Sequence, residues 1–286
     1  MAVCGVCFRH CHLGEGETGF CGARTCREGA VTAANYGRIT SMALDPIEKK
    51  PLARFHPGSL ILSVGSYGCN LRCPFCQNHE ISWSEEAFAF AGRAEEVSPR
   101  DLALTAYHYV DRGNIGVAFT YNEPLIGYEY VRDSAKIVHQ MGMKNVLVTN
   151  GTASLSVLGE LEGLIDAMNI DLKGFTDSYY RKVLGGDRQM TMAFIERAVQ
   201  VAHVELTTLI VPGENDDPEE ISALAKWIAS LKDSHGNVTG QEIPLHISRF
   251  FPSFHMRDRK ATDVDKVYHL ADVARRHLKY VYTGNC

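Results

Sequence analysis

Short apolar runs alternate with amphipathic stretches along the chain from residue 59 onward. The runs have the length of buried strands, and the stretches between them have the spacing of one-sided helices. This alternation predicts parallel strands that are joined by right-handed helical crossovers. The predicted strands are Leu60–Val64, Ile115–Phe119, Asn145–Val148, Ala167–Ile170, Val204–Val211, Leu245–Ile247 and Tyr280–Tyr282.

Five of the amphipathic stretches predict helices with one buried face. The first begins at Ser98 as its N-cap, with Pro99 at the first helical position and Asp101 completing a capping box. Gly142 follows the second stretch and is expected to end that helix. The apolar stripes are Leu102, Ala106, Tyr109 and Val110; Val131, Ala135, Val138 and Met141; Ile195, Ala198, Val199 and Ala202; Ile221, Leu224, Ala225 and Ile228; and Val267, Leu270, Ala271 and Ala274.

Polar residues follow six consecutive predicted strands. Barrels and doubly wound sheets of parallel strands both place their chemistry at the carboxyl ends of the strands. We therefore expect these segments to meet at one edge and to form a single active site. The segments are Gly65–Cys76, Thr120–Pro124, Thr149–Gly151, Asp171–Lys173, Pro212–Asp216 and Ser248–Arg249.

The alternation fits a barrel, complete or partial, as well as a doubly wound open sheet. Residues 1–58 show no clear periodicity and are rich in glycine, cysteine and turn formers. We expect an α/β fold in which residues 59–286 form a partial (βα)6-type TIM barrel. Residues 1–58 are expected to form a separate, irregular Cys-rich segment.

Composition and charge exclude several classes of protein. The 286 residues are 45% hydrophobic and 22% charged, which is typical of a globular chain and not of a disordered one. The formal net charge of −5 disfavours a nucleic-acid partner, because such proteins usually present a basic face. The chain contains neither an apolar run long enough for a membrane span nor an N-terminal signal peptide, so we expect a cytoplasmic protein without a membrane partner.

Nine cysteines occur in two groups and one terminal residue, Cys286. A reducing cytosol and an odd number disfavour disulfides, so metal ligation is the better interpretation. The N-terminal group also contains Cys26. Its remaining members have a spacing that fits either a structural zinc ion or an iron–sulfur cluster, although unligated thiols packed against the barrel are the alternative. These proposed ligands are Cys4, Cys7, Cys11 and Cys21.

Cys69, Cys73 and Cys76 form the second group, in the loop after the first predicted strand. Structural zinc sites and most iron–sulfur clusters use four protein ligands. Three closely spaced thiolates therefore indicate a [4Fe–4S] cluster in which one iron stays open to another ligand. The alternatives are three buried thiols without metal, or a zinc site that His79 completes.

The segment Gly68–Asn78, GCNLRCPFCQN, resembles the three-cysteine signature of radical S-adenosylmethionine (radical SAM) enzymes. The chain is similar to the pyruvate formate-lyase activating enzyme group, and within it to the AmmeMemoRadiSam system radical SAM enzymes. The similarity runs nearly end to end and includes the N-terminal cysteines. Its other motifs are Asp45–Leu52 (DPIEKKPL), Phe55–Ser59 (FHPGS), Tyr121–Pro124 and Ser248–Phe250.

The resemblance implies that the three cysteines hold the cluster and that the methionyl group of SAM binds its open iron. It places Phe75 beside the adenine, and it gives Glu123, with Asn122, a hydrogen bond from the SAM ammonium. Asp171 and Lys173 would bind the ribose hydroxyls and the methionine carboxylate, which are the partners that those groups need.

The same resemblance assigns cofactor contacts to Asn150 and Arg249. Arg249 aligns with a family histidine and can clamp a carboxylate, and His246 is its competitor. Three further positions differ from the family. Val148 stands where activating enzymes have an aspartate that binds a monovalent cation, and Tyr121 and Asn122 replace the usual pair of glycines.

The resemblance also implies the reaction. A reduced [4Fe–4S] cluster cleaves SAM to a 5′-deoxyadenosyl radical, which abstracts hydrogen from a substrate. A ferredoxin- or flavodoxin-like protein would donate the electron, and the substrate would be a glycyl-radical enzyme. Such activases carry an Asp-Gly-Pro-Gly segment, whereas this chain has His56-Pro57-Gly58-Ser59. The alternatives are a radical SAM enzyme with a small-molecule or other macromolecular substrate and, from a different class, a zinc-stabilised binding module without turnover.

Overall fold

A computed structural model describes residues 1–90, 92 and 94–286 of the chain. The strands are β1 (Ala2–Val3), β2 (His12–Leu13), β3 (Arg24–Arg27), β4 (Ala30–Ala33), β5 (Arg38–Ile39), β6 (Ser41–Pro46), β7 (Leu60–Gly65), β8 (Glu95–Glu96), β9 (Asn114–Phe119), β10 (Lys144–Thr149), β11 (Ala167–Asp171), β12 (His203–Ile210), β13 (Leu245–Arg249) and β14 (Val281–Gly284).

Helices fill most of the connections between the strands of the large sheet. The α-helices are α1 (His79–Ser82), α2 (Glu85–Phe90), α3 (Pro99–His108), α4 (Tyr128–Gln140), α5 (Leu155–Leu161), α6 (Asp177–Tyr179), α7 (Arg188–Ala198), α8 (Pro218–Ala229) and α9 (Val264–Arg275). A π-helical turn, Tyr180–Leu184, continues α6. Short 3-10 turns lie at Ile47–Lys49, Val110–Arg112, Pro124–Gly127, Gly240–Glu242 and Phe254–Met256.

One sheet of eight strands organises the molecule, in the order β14-β13-β12-β11-β10-β9-β7-β6. The seven strands from β7 through β14, with β8 left out, are parallel, and each pairs with the next one along the chain. The six connections between them contain helices, which confirms the predicted (βα)6-type arrangement. Over the described residues, β6 and β14 are the two edges of the sheet, so the barrel is open and partial.

All seven predicted strands are present, with boundaries within two residues of the expected ones. Ser98 caps α3, since its hydroxyl oxygen accepts the Asp101 amide at 3.1 Å. The Asp101 carboxylate accepts from the Ser98 hydroxyl rather than from the Ser98 amide, so the predicted capping box is only half formed. Gly142 has a φ of +77° just after α4, as expected of a helix-ending glycine.

The N-terminal segment contains more regular structure than its sequence pattern indicates. Three short antiparallel pairs, β1–β2, β3–β4 and β5–β8, involve it. The strand β6 joins the large sheet antiparallel to β7, with Asp45 opposite Ile61. Its residues are mostly exposed or half-buried, and therefore lack the apolar run that marked the other strands.

The chain after β6 closes the amino-terminal end of the barrel. Ile47 and Leu52 are fully buried and pack against Ile61, Ala118 and Val146 inside the sheet. This packing places apolar side chains where the barrel interior would otherwise meet water. We call residues 47–59 the floor segment.

A buried carboxylate ties the floor segment to the barrel. Glu205 on β12 accepts the amides of Ala53 and Arg54 at 2.9 and 2.8 Å, together with His246 Nε2 at 2.7 Å. Burial alone would raise the pKa of Glu205, but its hydrogen bonds with His203, His246 and the two amides lower it to about 2. The carboxylate is therefore ionised and fully bonded at neutral pH.

Within the described residues, no helix combines the length and the apolar character that a membrane span requires.

Substituting Leu52 with alanine tests the floor segment. The side chain is fully buried, so Leu52→Ala should lower the free energy of unfolding by about 2–5 kcal/mol. Urea unfolding followed by circular dichroism measures the loss. Leu155→Ala is the matched control, because Leu155 is 51% exposed and should change stability by less than about 0.5 kcal/mol. Equal effects at the two positions would contradict the assigned packing.

Candidate active site

A cavity of about 300 Å³ lies at the carboxyl ends of the parallel strands. Residues from the ends of β7, β9, β10, β11, β12 and β13 share its wall, so these strand ends converge as expected. The predicted segment Pro212–Asp216 is an exception, because Thr207 and Leu209 represent β12 in the wall while Pro212 and Asp216 line a separate depression beside α9. The lining residues are Cys69, Leu71, Cys73, Phe75, Cys76, Gln77, Asn78, Ser82, Thr120, Tyr121, Asn122, Glu123, Val148, Thr149, Asn150, Asp171, Lys173, Thr207, Leu209, Ser248 and Asn285.

The loop that carries the three cysteines is fixed by its entry at Gly68. Gly68 has a φ of +94°, and a Cβ atom there would lie 2.7 Å from the carbonyl oxygen of Cys21. The same carbonyl accepts the amide of Cys69 at 3.2 Å. Because a side chain at residue 68 would collide with this carbonyl, the glycine allows the loop to dock on the N-terminal segment.

All three thiols of this loop face the cavity, and burial raises their pKa values. The pKa of Cys73 is raised to about 12, and those of Cys69 and Cys76 are also raised, burial being the largest cause in each case. The thiols are therefore protonated at neutral pH without a metal. Iron would bind the thiolate forms and displace these protons, so binding by this set is pH-dependent.

Glu123 is the most deeply buried carboxylate of the cavity wall, at 2% exposure. It accepts the Thr149 hydroxyl at 2.6 Å, the Asn150 amide at 2.8 Å and the Leu125 amide at 3.0 Å. Burial raises the pKa of Glu123 to about 7, although these three bonds favour the ionised form. A cationic group in the cavity would therefore meet a carboxylate that is already positioned and whose three hydrogen-bond donors are uncharged.

Asn122 and Asn150 stabilise the wall through their side chains. Asn122 Oδ1 accepts the Ser66 amide at 3.0 Å, and its Nδ2 donates to the carbonyls of Tyr67 and Gly68. Asn150 Nδ2 lies 3.8 Å from Cys69 Sγ and donates to Asn70 Oδ1 at 2.9 Å. Both asparagines thus hold the cysteine loop against the neighbouring strand ends.

Asp171 and Lys173 form an ion pair of 2.6 Å at the end of β11. Burial would lower the pKa of Lys173, but the carboxylate of Asp171 raises it well above its usual value, so the ammonium stays charged. The amide of Lys173 donates to the hydroxyl of Tyr180 at 3.1 Å. Tyr180 begins the π-helical turn, which thereby supports the pair from behind.

Phe75 contributes an apolar surface between the cysteines. The ring is 5% exposed, lines the cavity and meets Phe250 edge-to-face at 6.3 Å between centroids. Val148 also lines the wall, so the cavity has an apolar side chain at the position where the resemblance implied a cation-binding aspartate.

Arg249 is the one expected cofactor contact that the structure places outside this cavity wall. Its Nε donates to the carbonyl of Thr262 at 2.7 Å, and the side chain lines a separate, open depression beside α9. His246 also stays outside, because it is bonded to Glu205 beneath the cavity. At the end of β13, Ser248 lines the cavity instead of Arg249. Side chains alternate along a strand, so residues 246 and 248 face the interior and residue 249 faces away.

Sequence reasoning also missed several supporting residues. Thr207, Tyr180 and Asn285 lie in or behind the wall, although none belongs to a motif with a chemical meaning of its own. Thr149, the last residue of β10, was expected at the site as part of Thr149–Gly151, and it lines the wall. Nothing in the local sequence of Tyr180 indicates a π-helical turn.

Four N-terminal cysteines are grouped beside the cysteine loop. The β1–β2 pair brings Cys4 to Cys11, whose carbonyl accepts the Cys4 amide at 2.9 Å. Cys7 and Cys21 are buried close to them, and burial raises the pKa of Cys7 to about 11. Over the described parts of the chain, no three or more His, Cys, Asp or Glu side chains converge on a point where they could hold a single metal ion, and this includes both cysteine groups.

A family model described as the Radical SAM superfamily matches residues 63–228, which is more than half of the chain and contains most of the cavity wall. The chain belongs to the radical SAM superfamily. It is therefore an enzyme, and membership implies a [4Fe–4S] cluster and SAM. The side chains of the cavity fit the cluster and SAM, because three thiols face one cavity beside a carboxylate and a charged amine.

Relatives of this radical SAM enzyme include activating enzymes. An uncharacterised Methanocaldococcus jannaschii protein is 36% identical over 285 residues, covering 99% of this chain and 80% of the relative. The pyruvate formate-lyase 1-activating enzyme of Escherichia coli is 27% identical over 186 residues, covering 63% and 71%. The fold is also similar to Streptococcus suis SuiB bound to S-adenosylmethionine, with a TM-score of 0.58 at 14% identity, covering 77% of this chain and 48% of SuiB.

A Glu123→Gln variant tests the buried carboxylate in the metal-free protein. Since the folded-state pKa of about 7 exceeds the ordinary value of 4.5, Glu123 destabilises the fold as the pH rises through that interval. The variant lacks this penalty, so its stability relative to wild type should increase between pH 5 and pH 8 by roughly 1–3 kcal/mol. Urea midpoints at both pH values measure it. Glu196→Gln, at an exposed position of α7, should show no such trend, and a flat difference for Glu123→Gln would contradict the raised pKa.

Proposed function

We propose that this radical SAM enzyme is a glycyl-radical-enzyme activating enzyme. The observation that carries the proposal is the meeting of three thiols, the Glu123 carboxylate and the Asp171–Lys173 pair in one cavity. The similarity to the pyruvate formate-lyase activating enzyme, over 63% of this chain, supports the activating type. When bound, the cluster supplies the electron that cleaves SAM to methionine and a 5′-deoxyadenosyl radical, which takes hydrogen from the substrate.

The cavity residues bind and orient the cofactor by their charges. Cys69, Cys73 and Cys76 would hold the cluster and would leave one iron for the amino acid portion of SAM. Glu123 accepts a hydrogen bond from the SAM ammonium, and Lys173 pairs with the carboxylate. Charged hydrogen bonds of this kind are stronger than neutral ones, particularly at buried positions.

Asp171 and Phe75 bind the nucleoside portion. Asp171 accepts from the ribose hydroxyls while its bond with Lys173 fixes the carboxylate in place. Phe75 offers its buried ring to the adenine. Because the radical is unselective, the target carbon has to be within about 3–3.5 Å when the radical forms, and a walled cavity imposes that approach.

The electron comes from a ferredoxin- or flavodoxin-like protein, and the substrate is a glycyl-radical protein. A glycyl radical gives a doublet electron paramagnetic resonance signal when the reduced enzyme and SAM are incubated with a candidate protein. Formation of 5′-deoxyadenosine without that doublet, across all candidates, would leave the radical SAM chemistry in place and remove the activating function.

Anaerobic reconstitution tests the cluster assignment. Wild type should bind about four irons and four sulfides more than the Cys69/Cys73/Cys76→Ala triple variant and should form 5′-deoxyadenosine from SAM and dithionite. The Cys69/Cys73/Cys76→Ala triple variant should lose that iron and sulfide, and its product formation should fall to background. Cys286→Ala, at an exposed cysteine, is the matched control and should behave as wild type. A triple variant with unchanged iron and activity would disprove the assignment.

A second metal centre at Cys4, Cys7, Cys11 and Cys21 is a further part of the proposal, with either zinc or an iron–sulfur cluster as its occupant. The four thiols lie near one another, which supports it, and their side chains would have to converge further to bind a single zinc ion. The triple variant above separates the two centres, because it should retain about one zinc or the iron of one cluster per chain by mass spectrometric metal analysis. Alanine at all four N-terminal positions should remove that metal. A triple variant free of both metals would contradict a second centre.

A further inference from the structure

Tyr121 lies in the cavity wall with a backbone conformation that few residues of its type adopt. Its φ is +69°, in the left-handed region that favours glycine. An aromatic residue persists there only when the surrounding structure holds it. Tyr121 follows β9 and immediately precedes Asn122 and Glu123, so its conformation sets the direction in which that part of the wall continues.

The side chain of Tyr121 is held by two residues of the DPIEKKPL motif. Its hydroxyl donates to Asp45 Oδ2 at 2.8 Å, and Lys50 Nζ donates to the same oxygen at 2.9 Å. Lys50 Nζ also lies 4.8 Å from the centroid of the Tyr121 ring, a distance at which cation and ring attract. Lys50 is only 3% exposed, so water weakens these contacts little.

The protonation states of the three groups match these contacts. Burial alone would raise the pKa of Asp45, but its bonds with Lys50 and Tyr121 lower it to about 2. Burial and the neighbouring Asp45 raise the pKa of Tyr121 to about 12. Near neutral pH the carboxylate is therefore ionised and the phenol is a hydrogen-bond donor.

A glycine at the end of β7 leaves room for the Tyr121 side chain. A Cβ atom on Gly65, the last residue of β7, would lie 2.9 Å from both Cβ and Cδ2 of Tyr121. Such a contact is shorter than any that side chains tolerate, so Gly65 allows the ring to pass between β7 and the turn.

The turn after Tyr121 is bonded directly to the cysteine loop. The Tyr121 carbonyl accepts Asn78 Nδ2 at 2.8 Å, and the Glu123 amide donates to the Gly68 carbonyl at 3.3 Å. A rotation at residue 121 would therefore move Glu123 relative to the three thiols. No side chain in the DPIEKKPL motif lines the cavity wall described above, so the motif reaches it through Tyr121.

We propose that Asp45, Lys50 and Tyr121 form a positioning triad that fixes the Thr120–Glu123 turn in the orientation that SAM requires. The inference rests on the proposed function, since it takes SAM as the ligand of the cavity. Tyr121 acts through its backbone, and Asp45 and Lys50 act through Tyr121. The triad explains how a motif on the edge strand β6 and the floor segment contributes to the active site.

Two substitutions at Tyr121 separate backbone positioning from ring contact. Both variants lose the side chain that restrains residue 121. Glycine adopts a positive φ freely, whereas alanine still has the steric cost of that conformation. We expect reconstituted Tyr121→Gly protein to bind SAM at least fivefold more tightly than Tyr121→Ala, as measured by equilibrium dialysis. Equal dissociation constants for the two variants would overturn the backbone role.

Removal of the hydroxyl tests the restraint itself. Tyr121→Phe and Asp45→Asn should each weaken SAM binding about threefold to tenfold, and the double variant should be no weaker than the worse single one. Tyr36→Phe is the matched control, because it removes a similar hydroxyl bond of 2.9 Å, to Asp133, at an exposed position. Binding unchanged in Tyr121→Phe, or fully additive losses, would overturn the triad.

Hydrogen exchange in the metal-free protein distinguishes a failed triad from a failed function. The amides of Asn122 and Glu123 should exchange at least fivefold faster in Tyr121→Phe than in wild type, and those of β12 should not change. Absence of SAM binding by wild type would disprove the proposed function, while the exchange result would still decide whether the triad orders the turn. Unchanged exchange at both amides would overturn the triad whatever binds in the cavity.

Discussion

Parallel pairing between strands that are consecutive in the sequence is the constraint on which the active site depends. Each of the seven parallel strands is hydrogen-bonded to the next one along the chain, so all of their carboxyl ends lie at the same end of the barrel. Residues separated by more than 170 positions, from Cys69 to Ser248, consequently share one cavity. The backbone pairing brings these groups together, and each loop then needs only to aim its side chains inward.

The charges around the cavity are arranged for a zwitterionic ligand. Glu123 is buried with a pKa near neutrality, and Lys173 keeps its charge because Asp171 is beside it. The two signs follow β9 and β11, which flank β10, and the end of β10 donates hydrogen bonds to Glu123. An amino acid portion that carries one ammonium and one carboxylate would therefore have a partner for each charge.

Most of the barrel could be predicted from the sequence because its strands are buried on both faces and form continuous apolar runs. The strand β6 escaped prediction since it is an edge strand whose residues are exposed or half-buried, and it belongs to a segment rich in turn formers. The cysteine loop, Glu123 and Lys173 were accessible from motifs. The orientation of Arg249 could not be predicted from a motif. Side chains alternate between the two faces of a strand, so an error of one residue in matching a strand end places a side chain on the wrong face.

The role of Tyr121 could not have been predicted from the residues around it. Its unusual φ depends on Asp45 and Lys50, which are more than 70 positions away, and on the absence of a side chain at Gly65. Pattern reasoning evaluates neighbours along the chain, whereas this restraint exists only after β6 has paired with β7. The same limit applies to Asn122, whose side chain donates hydrogen bonds to the adjoining cysteine loop while the residue lines the cavity.

The attachment of the first 58 residues has a consequence for how the molecule can be divided. They supply an edge strand to the sheet, two amides to the Glu205 carboxylate and a carbonyl to the amide of Cys69. A shortened protein that starts at residue 59 would expose the side of β7, remove two of the hydrogen bonds that the buried Glu205 carboxylate accepts and free the entry of the cysteine loop. Although its sequence reads as a separate appendage, this stretch is a structural component of the catalytic body and cannot be exchanged as an independent module.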